Sequence, residues 1–153
     1  MRALSSPHSS TPARILLVDD NRLGLAVRKS VLEELGHHIT TASEGREALE
    51  TFTREPFDLV ITDYKMPRMN GLELIQKIRE ADSATLIILI SGYAEALGLT
   101  EANTGADAVI AKNANEVQHL IRSVNRLLRR TTLRKPMGAQ GAKAKAKAKS
   151  HSA

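Results

Sequence analysis

The sequence predicts an α/β protein with a doubly wound sheet of parallel strands. Short apolar segments alternate with helix-forming segments five times between residues 13 and 130. Four of the five apolar segments are closed by polar residues: Asp19-Asp20, Asp63, Ser91 and Lys112. Alternating β-α units favour right-handed crossovers that place helices on both faces of the sheet. Sites in such sheets lie beyond the carboxyl ends of the strands, where these polar residues are expected to meet.

The first strand is predicted over residues 15–18, a continuous apolar run typical of buried parallel strands. Asn21 is a suitable N-cap for the helix that follows, and Gly36 is placed to end it. Apolar residues recur at every fourth position of this helix: Leu23, Val27, Val31 and Leu35. A spacing of four is close to the repeat of one helix face.

The second and third units repeat the alternation. A strand over residues 39–42 leads to a helix that opens at Ser43 or Glu44. The third strand covers residues 57–62 and is followed by a loop rich in Pro and Gly, residues 64–71. Such a loop favours turns before the third helix begins.

The last two units contain a strand over residues 85–90 and another over residues 108–111. The segment between them, residues 93–104, is predicted as a weak helix because Gly98 disfavours it, and Gly105 is placed to cap it. The final helix carries a clear apolar stripe at the helical period: Val117, Leu120, Ile121, Val124, Leu127 and Leu128.

The polar residues at the strand ends suggest a specific chemistry. Three neighbouring carboxylates, from Asp19, Asp20 and Asp63, would repel one another unless a cation neutralised them. Oxygen ligands without His or Cys suit Mg²⁺. A carboxylate can also act as a nucleophile and form an aspartyl phosphate. Lys112 and a metal ion could then neutralise the phosphoryl oxygens, and the Ser91 hydroxyl could donate to another of them.

Four segments in order resemble the receiver domains of bacterial two-component response regulators, of the chemotaxis-regulator type. They are ILLVDDN (15–21), ITDYKMPRMNGLELI (61–75), ILISGYAE (88–95) and GADAVIAK (105–112). The resemblance covers about residues 13–130. It implies a flavodoxin-like sheet of five strands in the order 2-1-3-4-5.

The resemblance also implies a role for each site residue. Asp63 is the expected phosphoacceptor. Asp20 is expected to bind Mg²⁺ directly, and Asp19 directly or through water. The other implied roles are a metal ligand at the backbone carbonyl of Lys65, a switch hydroxyl at Ser91 and an ammonium at Lys112 that pairs with the phosphoryl group.

Two positions depart from the family's pattern. The residue after Lys112 is usually a Pro with a cis peptide bond; here it is Asn113, and a trans bond is expected because a cis bond would cost about 3 kcal/mol. An aromatic switch residue usually stands three positions before the Lys, where this sequence has Val109. Both changes fall on the output face of most receivers. They support an alternative function, a pseudo-receiver that binds partners without phosphorylation.

Composition excludes several other classes of protein. Cysteine is absent, which excludes disulfide scaffolds, cysteine nucleophiles and thiolate zinc sites. No signal-peptide pattern and no apolar stretch long enough to span a membrane is found, so a cytoplasmic protein without membrane contacts is expected. His37 and His38 lack partner ligands and are expected at the surface. Residues 1–12 are interpreted as a flexible leader, and residues 131–153 as a disordered basic tail.

Charge is divided unevenly along the chain. The formal net charge is +5, but eight of the 22 Lys and Arg residues and none of the 17 Asp and Glu residues follow residue 128. The basic run over residues 129–149 is either a solubilising extension or an arm that binds nucleic acid or another polyanion. A receiver that gates such an arm is therefore a further alternative.

The sequence predicts a receiver that takes its phosphoryl group from a histidine kinase or phosphotransfer protein and signals through protein–protein contacts. It should catalyse only its own phosphorylation and dephosphorylation, and not act as an enzyme on an external substrate. A phosphohydrolase of the haloacid-dehalogenase type would need a second Asp two residues after the nucleophile. That position holds Lys65 after Asp63 and Arg22 after Asp20.

Overall fold

Five strands alternate with six helices over residues 11–134, the part of the chain that this computed structural model describes. The strands are β1 (Arg14–Val18), β2 (His38–Ala42), β3 (Leu59–Asp63), β4 (Leu86–Ser91) and β5 (Ala108–Ala111). The helices are α1 (Arg22–Glu34), α2 (Gly45–Arg54), α3 (Gly71–Ala81), α4 (Ala94–Leu97), α5 (Glu101–Thr104) and α6 (Glu116–Arg134). Over that range, no helix is both long enough and apolar enough to cross a membrane.

All five strands are parallel and lie in the order β2-β1-β3-β4-β5, so the predicted fold class and strand order are confirmed. The pairing register aligns the strand ends. Val18 of β1 pairs with Thr62 of β3, and Asp63 pairs with Ile90 of β4. Ser91 pairs with Ala111 of β5. The residues that follow or close these strands therefore meet at one edge of the sheet.

Two apolar cores cover the two faces of the sheet. Alternate strand residues such as Ile15 and Leu17 pack with Leu32 of α1 and Val124 of α6. Their neighbours in the strands pack on the other side against α2 and α3, as Leu16 does. Because the central strands are buried on both faces, their middle residues are apolar on both sides of the sheet, which explains the continuous runs in the sequence.

Helix α1 forms where it was predicted, but its repeated apolar residues do not face the core. Leu23 is 73% exposed and Val27 is 47% exposed, whereas Arg28 and Leu32 are buried. A strict spacing of four advances about 40° around a helix at each step. The series therefore turns around the helix from an exposed face at Leu23 to the core face at Leu35, the one residue of the four that packs against this core.

The segment predicted as one weak helix is divided into two single-turn helices. Gly98 adopts a left-handed conformation (φ +63°) and ends α4, and Thr100 then caps α5 through the N–H of Asn103. Gly105 ends α5 with φ +85°, as predicted. A left-handed residue cannot continue a helix, so Gly98 breaks the segment rather than merely weakening it.

His37 is a correction to the sequence analysis, because it is buried rather than at the surface. Its Nδ1 accepts a hydrogen bond from the backbone N–H of Ala13 at 3.0 Å, which ties the turn after α1 to the start of β1. Burial lowers the pKa of His37, with Asp58 opposing the change. His38 is exposed, as predicted.

The ends of the chain extend beyond the described residues. Helix α6 continues to Arg134, past residue 130 where the receiver domain was predicted to end. Residues 1–10 and 135–153, which include most of the predicted leader and tail, lie outside the described range. The predicted domain boundaries therefore stay predictions.

Candidate functional site

Three carboxylates meet at the carboxyl edge of the sheet. One oxygen each from Asp19, Asp20 and Asp63 lies within 4.8 Å of the other two. Asp19 and Asp63 are buried, with 1% and 3% of their surface exposed, whereas Asp20 is exposed. The sequence grouped these three residues correctly, because each stands at the end of β1 or β3, two neighbouring strands.

Asp63 is paired with Lys112, which follows β5. The Lys112 ammonium lies 2.8 Å from Asp63 Oδ1. No described residue gives this buried oxygen a hydrogen bond of good geometry, so the ammonium is its only close partner. Burial raises the pKa of the Asp63 carboxyl above its ordinary value; the contact with Lys112 lowers it, and the charge of Asp19 raises it. Lys112 and the more distant charge of Arg28 therefore offset part of the cost of burying the Asp63 carboxylate beside Asp19.

Asp19 is held by two donors. The backbone N–H of Asn21 donates to Oδ1 at 3.0 Å, and Arg28 Nη1 donates to Oδ2 at 2.6 Å. Gly24 makes room for this pair, because a Cβ there would lie 2.9 Å from Asp19 Oδ2. Arg28 also donates through Nε to Glu116 Oε2 at 2.7 Å. The acidic site is therefore linked to α6 through a buried arginine.

Sequence reasoning missed Arg28 and Glu116. The chain contains two signals for them. Arg28 is one turn before the buried Leu32 of α1, so the helical period places a basic residue on the face that meets the sheet. Glu116 is the sole acidic residue of α6, a helix with five arginines. Neither signal reveals that the two residues meet, because that depends on how α1 and α6 pack.

Ser91 and Tyr93 lie beside the acidic site at the end of β4. Ser91 is buried, and its Oγ accepts the backbone N–H of Tyr93 at 2.8 Å, which leaves the hydroxyl proton free to be donated elsewhere. No hydrogen bond joins Ser91 to Asp63 among residues 11–134. Lys65 is exposed, and its Nζ lies 3.3 Å from Tyr93 Oη. The predicted role of the Lys65 carbonyl as a metal ligand stays a prediction.

The loop after Asp63 is closed by Gly71. The N–H of Gly71 donates to the carbonyl of Tyr64 at 2.7 Å. A Cβ at this position would collide with the backbone carbonyl of Asp63 and lie 2.9 Å from the Cα of Tyr64. Asn70 and Glu73 cap each other at the start of α3. The loop therefore returns closely past Asp63, and only glycine fits there.

A family model described as the response regulator receiver domain matches residues 15–125. The response regulator receiver protein CpdR of Brucella abortus (strain 2308) is 30% identical over 115 residues, which are 75% of this chain and 96% of that protein. The chain belongs to the response regulator receiver domain family.

Two further similarities place this receiver domain among its relatives. The response regulator protein TrrA of Thermotoga maritima, solved in complex with Mg²⁺-BeF, is 36% identical with a TM-score of 0.68. The match covers 74% of this chain and 97% of that one. The gliding motility regulatory protein of Myxococcus xanthus is 30% identical over 137 residues, or 83% of this chain. The receiver domain spans only 17% of that relative's length.

The acidic site of this receiver domain fits Mg²⁺. Asp19, Asp20 and Asp63 offer oxygen donors alone, which this hard cation prefers. The exposed side of the site, at Asp20, gives a hydrated ion access, and Mg²⁺ usually keeps several of its waters. The unsatisfied Oδ1 of Asp63 is a suitable ligand atom. These three residues can therefore hold the ion.

The two departures from the family's pattern have structural consequences. Among the described residues no peptide bond is cis, so the bond before Asn113 is trans, as expected. The Asn113 side chain accepts the N–H of Asn115 at 2.8 Å, and its carbonyl accepts the N–H of Glu116 at 3.0 Å. Asn113 thus forms the turn that leads into α6. Val109 is partly buried against the core formed with α2 and α3.

Proposed function

We propose that this receiver domain accepts a phosphoryl group on Asp63, in a phosphorelay that uses Mg²⁺. The observation that carries the proposal is the buried Asp63 Oδ1, which faces Lys112 and two further carboxylates but has no hydrogen bond of good geometry. A buried carboxylate at a strand end that meets an ammonium and two further carboxylates is unlike an ordinary structural ion pair. Such a carboxylate is suited to act as a nucleophile, because the ammonium can pair with the group that it receives.

The proposed reaction is the transfer of a phosphoryl group from a phosphorylated histidine of the donor. A carboxylate oxygen of Asp63 attacks phosphorus, an O–P bond forms as the P–N bond breaks, and the electron pair leaves with the imidazole. Lys112, already 2.8 Å from Asp63, pairs with the transferred group. The Ser91 hydroxyl donates to a phosphoryl oxygen once one is present. Bound Mg²⁺ would neutralise charge on the phosphoryl oxygens.

The proposed donor is a histidine kinase or a phosphotransfer protein. Receiver domains interact with such partners, and this one has exposed apolar side chains, Leu23 and Val27, on the first turns of α1 next to Asp20. Isolated exposed apolar residues are common, but a pair beside the reactive edge offers a contact for a docking partner. We propose further that the chain acts on no external substrate. We also propose that it is located in the cytoplasm, where it would meet such a donor.

The test is incubation of the protein with Mg²⁺ and a small phosphodonor, followed by intact mass measurement. We expect one added phosphoryl group in the wild-type chain and none in Asp63→Ala or without Mg²⁺. Asp58→Ala is a matched control, because Asp58 is a carboxylate at the opposite end of β3. A wild-type chain that stays unmodified, while a second receiver domain reacts in the same solution, would instead favour the pseudo-receiver.

A second function, polyanion binding, is favoured by the surface of α6. Arg122, Arg126 and Arg129 follow the helical period and line an open groove of about 580 Å³ beside β5. Among the side chains of residues 11–130, these arginines form no ion pair or hydrogen bond. We propose that this face and the basic run over residues 129–149 bind nucleic acid through its phosphates.

A further inference from the structure

Arg28 occupies an unusual place for a cation. It is 5% exposed, and its guanidinium lies between the acidic site and α6. One nitrogen, Nη1, contacts Asp19 at 2.6 Å, and another, Nε, contacts Glu116 at 2.7 Å. A guanidinium suits such a bridge because its donors are fixed in one plane and point in different directions. Arg28 is therefore a second cation of the acidic site, in addition to Lys112.

The contact with Asp19 uses one of the acceptor positions of a carboxylate that would also serve as a metal ligand. Both oxygens of Asp19 are engaged, Oδ1 by the N–H of Asn21 and Oδ2 by Arg28. A cation of charge +2 that approaches Asp19 also meets the positive charge of Arg28 at close range, and like charges repel. Glu116 offers Arg28 a second anionic partner away from the three carboxylates.

We propose that Arg28 competes with Mg²⁺ for Asp19 and thereby sets the affinity of the acidic site for the metal. In the metal-free protein the guanidinium neutralises Asp19. When Mg²⁺ binds, Arg28 gives up Asp19 Oδ2 and remains paired with Glu116. Arg28 is a positioning residue in this scheme, since it acts through Asp19. The inference rests on the proposed Mg²⁺ site and adds a determinant of its affinity.

Gly24 supports the competition, because its missing side chain leaves the space beside Asp19 Oδ2 to Arg28. A Cβ at position 24 would lie 3.6 Å from Arg28 Nη1 as well as 2.9 Å from Asp19 Oδ2. A purely structural reading assigns Arg28 only to holding α1 against α6. That reading predicts a loss of stability when Arg28 is replaced, but it predicts no change in metal affinity.

The test is the dissociation constant for Mg²⁺, measured by calorimetry or NMR on the full chain and three variants. Arg28→Met removes the competing charge, and we expect Mg²⁺ to bind about tenfold more tightly. Glu116→Gln removes the alternative partner and would leave a displaced Arg28 buried without a counter-charge. We therefore expect Mg²⁺ to bind about threefold more weakly to Glu116→Gln.

The matched control is Lys29→Met, which removes a positive charge from the neighbouring position of α1. Lys29 is exposed and pairs with Glu33 at 2.8 Å, so its charge is screened from the site. We expect an unchanged dissociation constant in this variant. Thermal unfolding gives a second readout. Arg28→Met should unfold at a lower temperature than the wild type without Mg²⁺ and should gain more from added Mg²⁺.

The outcomes separate this inference from the proposed function. Tighter binding in Arg28→Met together with weaker binding in Glu116→Gln supports the competition. Unchanged affinities, or a shift in the same direction in both variants, overturn it while leaving the Mg²⁺ site intact. A shift in Lys29→Met equal to that in Arg28→Met also overturns it, because any charge on α1 would then suffice. Absence of Mg²⁺ binding in both the wild type and Arg28→Met overturns the Mg²⁺ site itself.

Discussion

Tyr93, just after the end of β4, lies at the border of the acidic site. Tyr93 is 41% exposed, and its ring lies 5.5 Å from the Lys65 ammonium and packs edge-on against Tyr64. Lys65 stands two residues after the acceptor, and Tyr93 stands two after Ser91. The contact between them joins the two loops that border Asp63. On the proposed function, we expect this contact to restrict the approach of water to a phosphoryl group on Asp63.

We expect Tyr93→Ala to shorten the lifetime of phosphorylated Asp63. Removal of the ring frees Lys65 and opens the approach of water, and a fivefold faster loss corresponds to a barrier lower by about 1 kcal/mol. The measurement is the decay of the phosphorylated mass after the donor is removed. Leu97→Ala, an exposed apolar residue on α4, is the control and should leave the lifetime unchanged. An equal lifetime in Tyr93→Ala would show that the ring does not restrict water.

Gly71 is the second residue whose replacement has a definite expected effect. Since a Cβ there would collide with the backbone of Asp63, Gly71→Ala should lower the free energy of unfolding by about 1–3 kcal/mol. Gly92→Ala is the control, because its Cβ would meet Lys112 only at 3.9 Å and the change should be within about 0.5 kcal/mol. Urea denaturation measures both variants. Equal stabilities of the two variants would contradict the close approach at Gly71.

At the scale of whole elements, strands were predictable and helix faces only in part. A central parallel strand buried on both sides is mostly apolar until it reaches the site, so β1, β3 and β4 could be predicted directly from the sequence. The edge strand β5 was predicted from its short apolar run, although Val109 and Ala111 are only partly buried. In α1 the apolar series Leu23, Val27, Val31 and Leu35 suggested one face, yet the buried positions are Arg28 and Leu32. The burial of Arg28 is offset by its ion pairs with Asp19 and Glu116. Glu116 is distant in the sequence, and the local periodicity of α1 contains no information about it.

The start of β1 is fixed by a histidine that stays neutral in the folded protein. Burial lowers the pKa of His37 below its ordinary value of about 6.5, so the unfolded chain binds a proton more readily than the folded one. This contribution to stability is fully present above pH 6.5 and is lost as the pH falls from there towards the lower pKa of the folded state.

We therefore expect the free energy of unfolding to fall between pH 7.5 and 5.5 by less in His37→Gln than in the wild type. Glutamine retains an acceptor for the N–H of Ala13 but does not titrate. The measurement is urea denaturation at several pH values across this range. His38→Gln, at the exposed neighbouring position, should keep the wild-type slope. A slope in His37→Gln equal to that of the wild type would contradict the assignment.

At the scale of the whole molecule, charge is separated between a nearly neutral folded part and a basic end. The strand order explains why the residues predicted from the strand ends lie together: Asp19, Asp20, Asp63, Ser91 and Lys112 follow or close a strand, and parallel strands end at one edge. The link from Arg28 to Glu116 joins residues 88 positions apart, and no local pattern indicates it. The arginines of α6 continue the basic run into residues that the structure does not describe.

We expect the full chain to bind duplex DNA with little sequence preference and strong salt dependence. If four to six phosphates are neutralised, the logarithm of the binding constant should change with the logarithm of salt concentration with a slope of about −4 to −5. A chain ending at residue 134 keeps α6 and Asp63, so it should bind more weakly but still be phosphorylated. Binding is measured at two salt concentrations.

The controls for this prediction test the two parts of the basic surface separately. Replacing Arg122, Arg126 and Arg129 by Ala in the full chain tests the groove beside β5 separately from the residues after 134. We expect each change to reduce the salt slope, because each removes some of the phosphate contacts. If the full chain and the chain ending at residue 134 bind DNA equally well, the residues after 134 do not contribute to binding. No binding at low salt would exclude the polyanion function.

The division at Gly98 has a consequence for how the molecule moves. Helices α4 and α5 have four residues each, so each is held by only two or three backbone hydrogen bonds and has no buried apolar residue of its own. Local opening there costs far less than opening β1 or β3, whose amides are paired on both sides. Amide hydrogens between Ala94 and Thr104 should therefore exchange with deuterated water long before those of the central strands. The stretch that joins Ser91 to β5 can rearrange while the sheet that carries Asp63 stays closed.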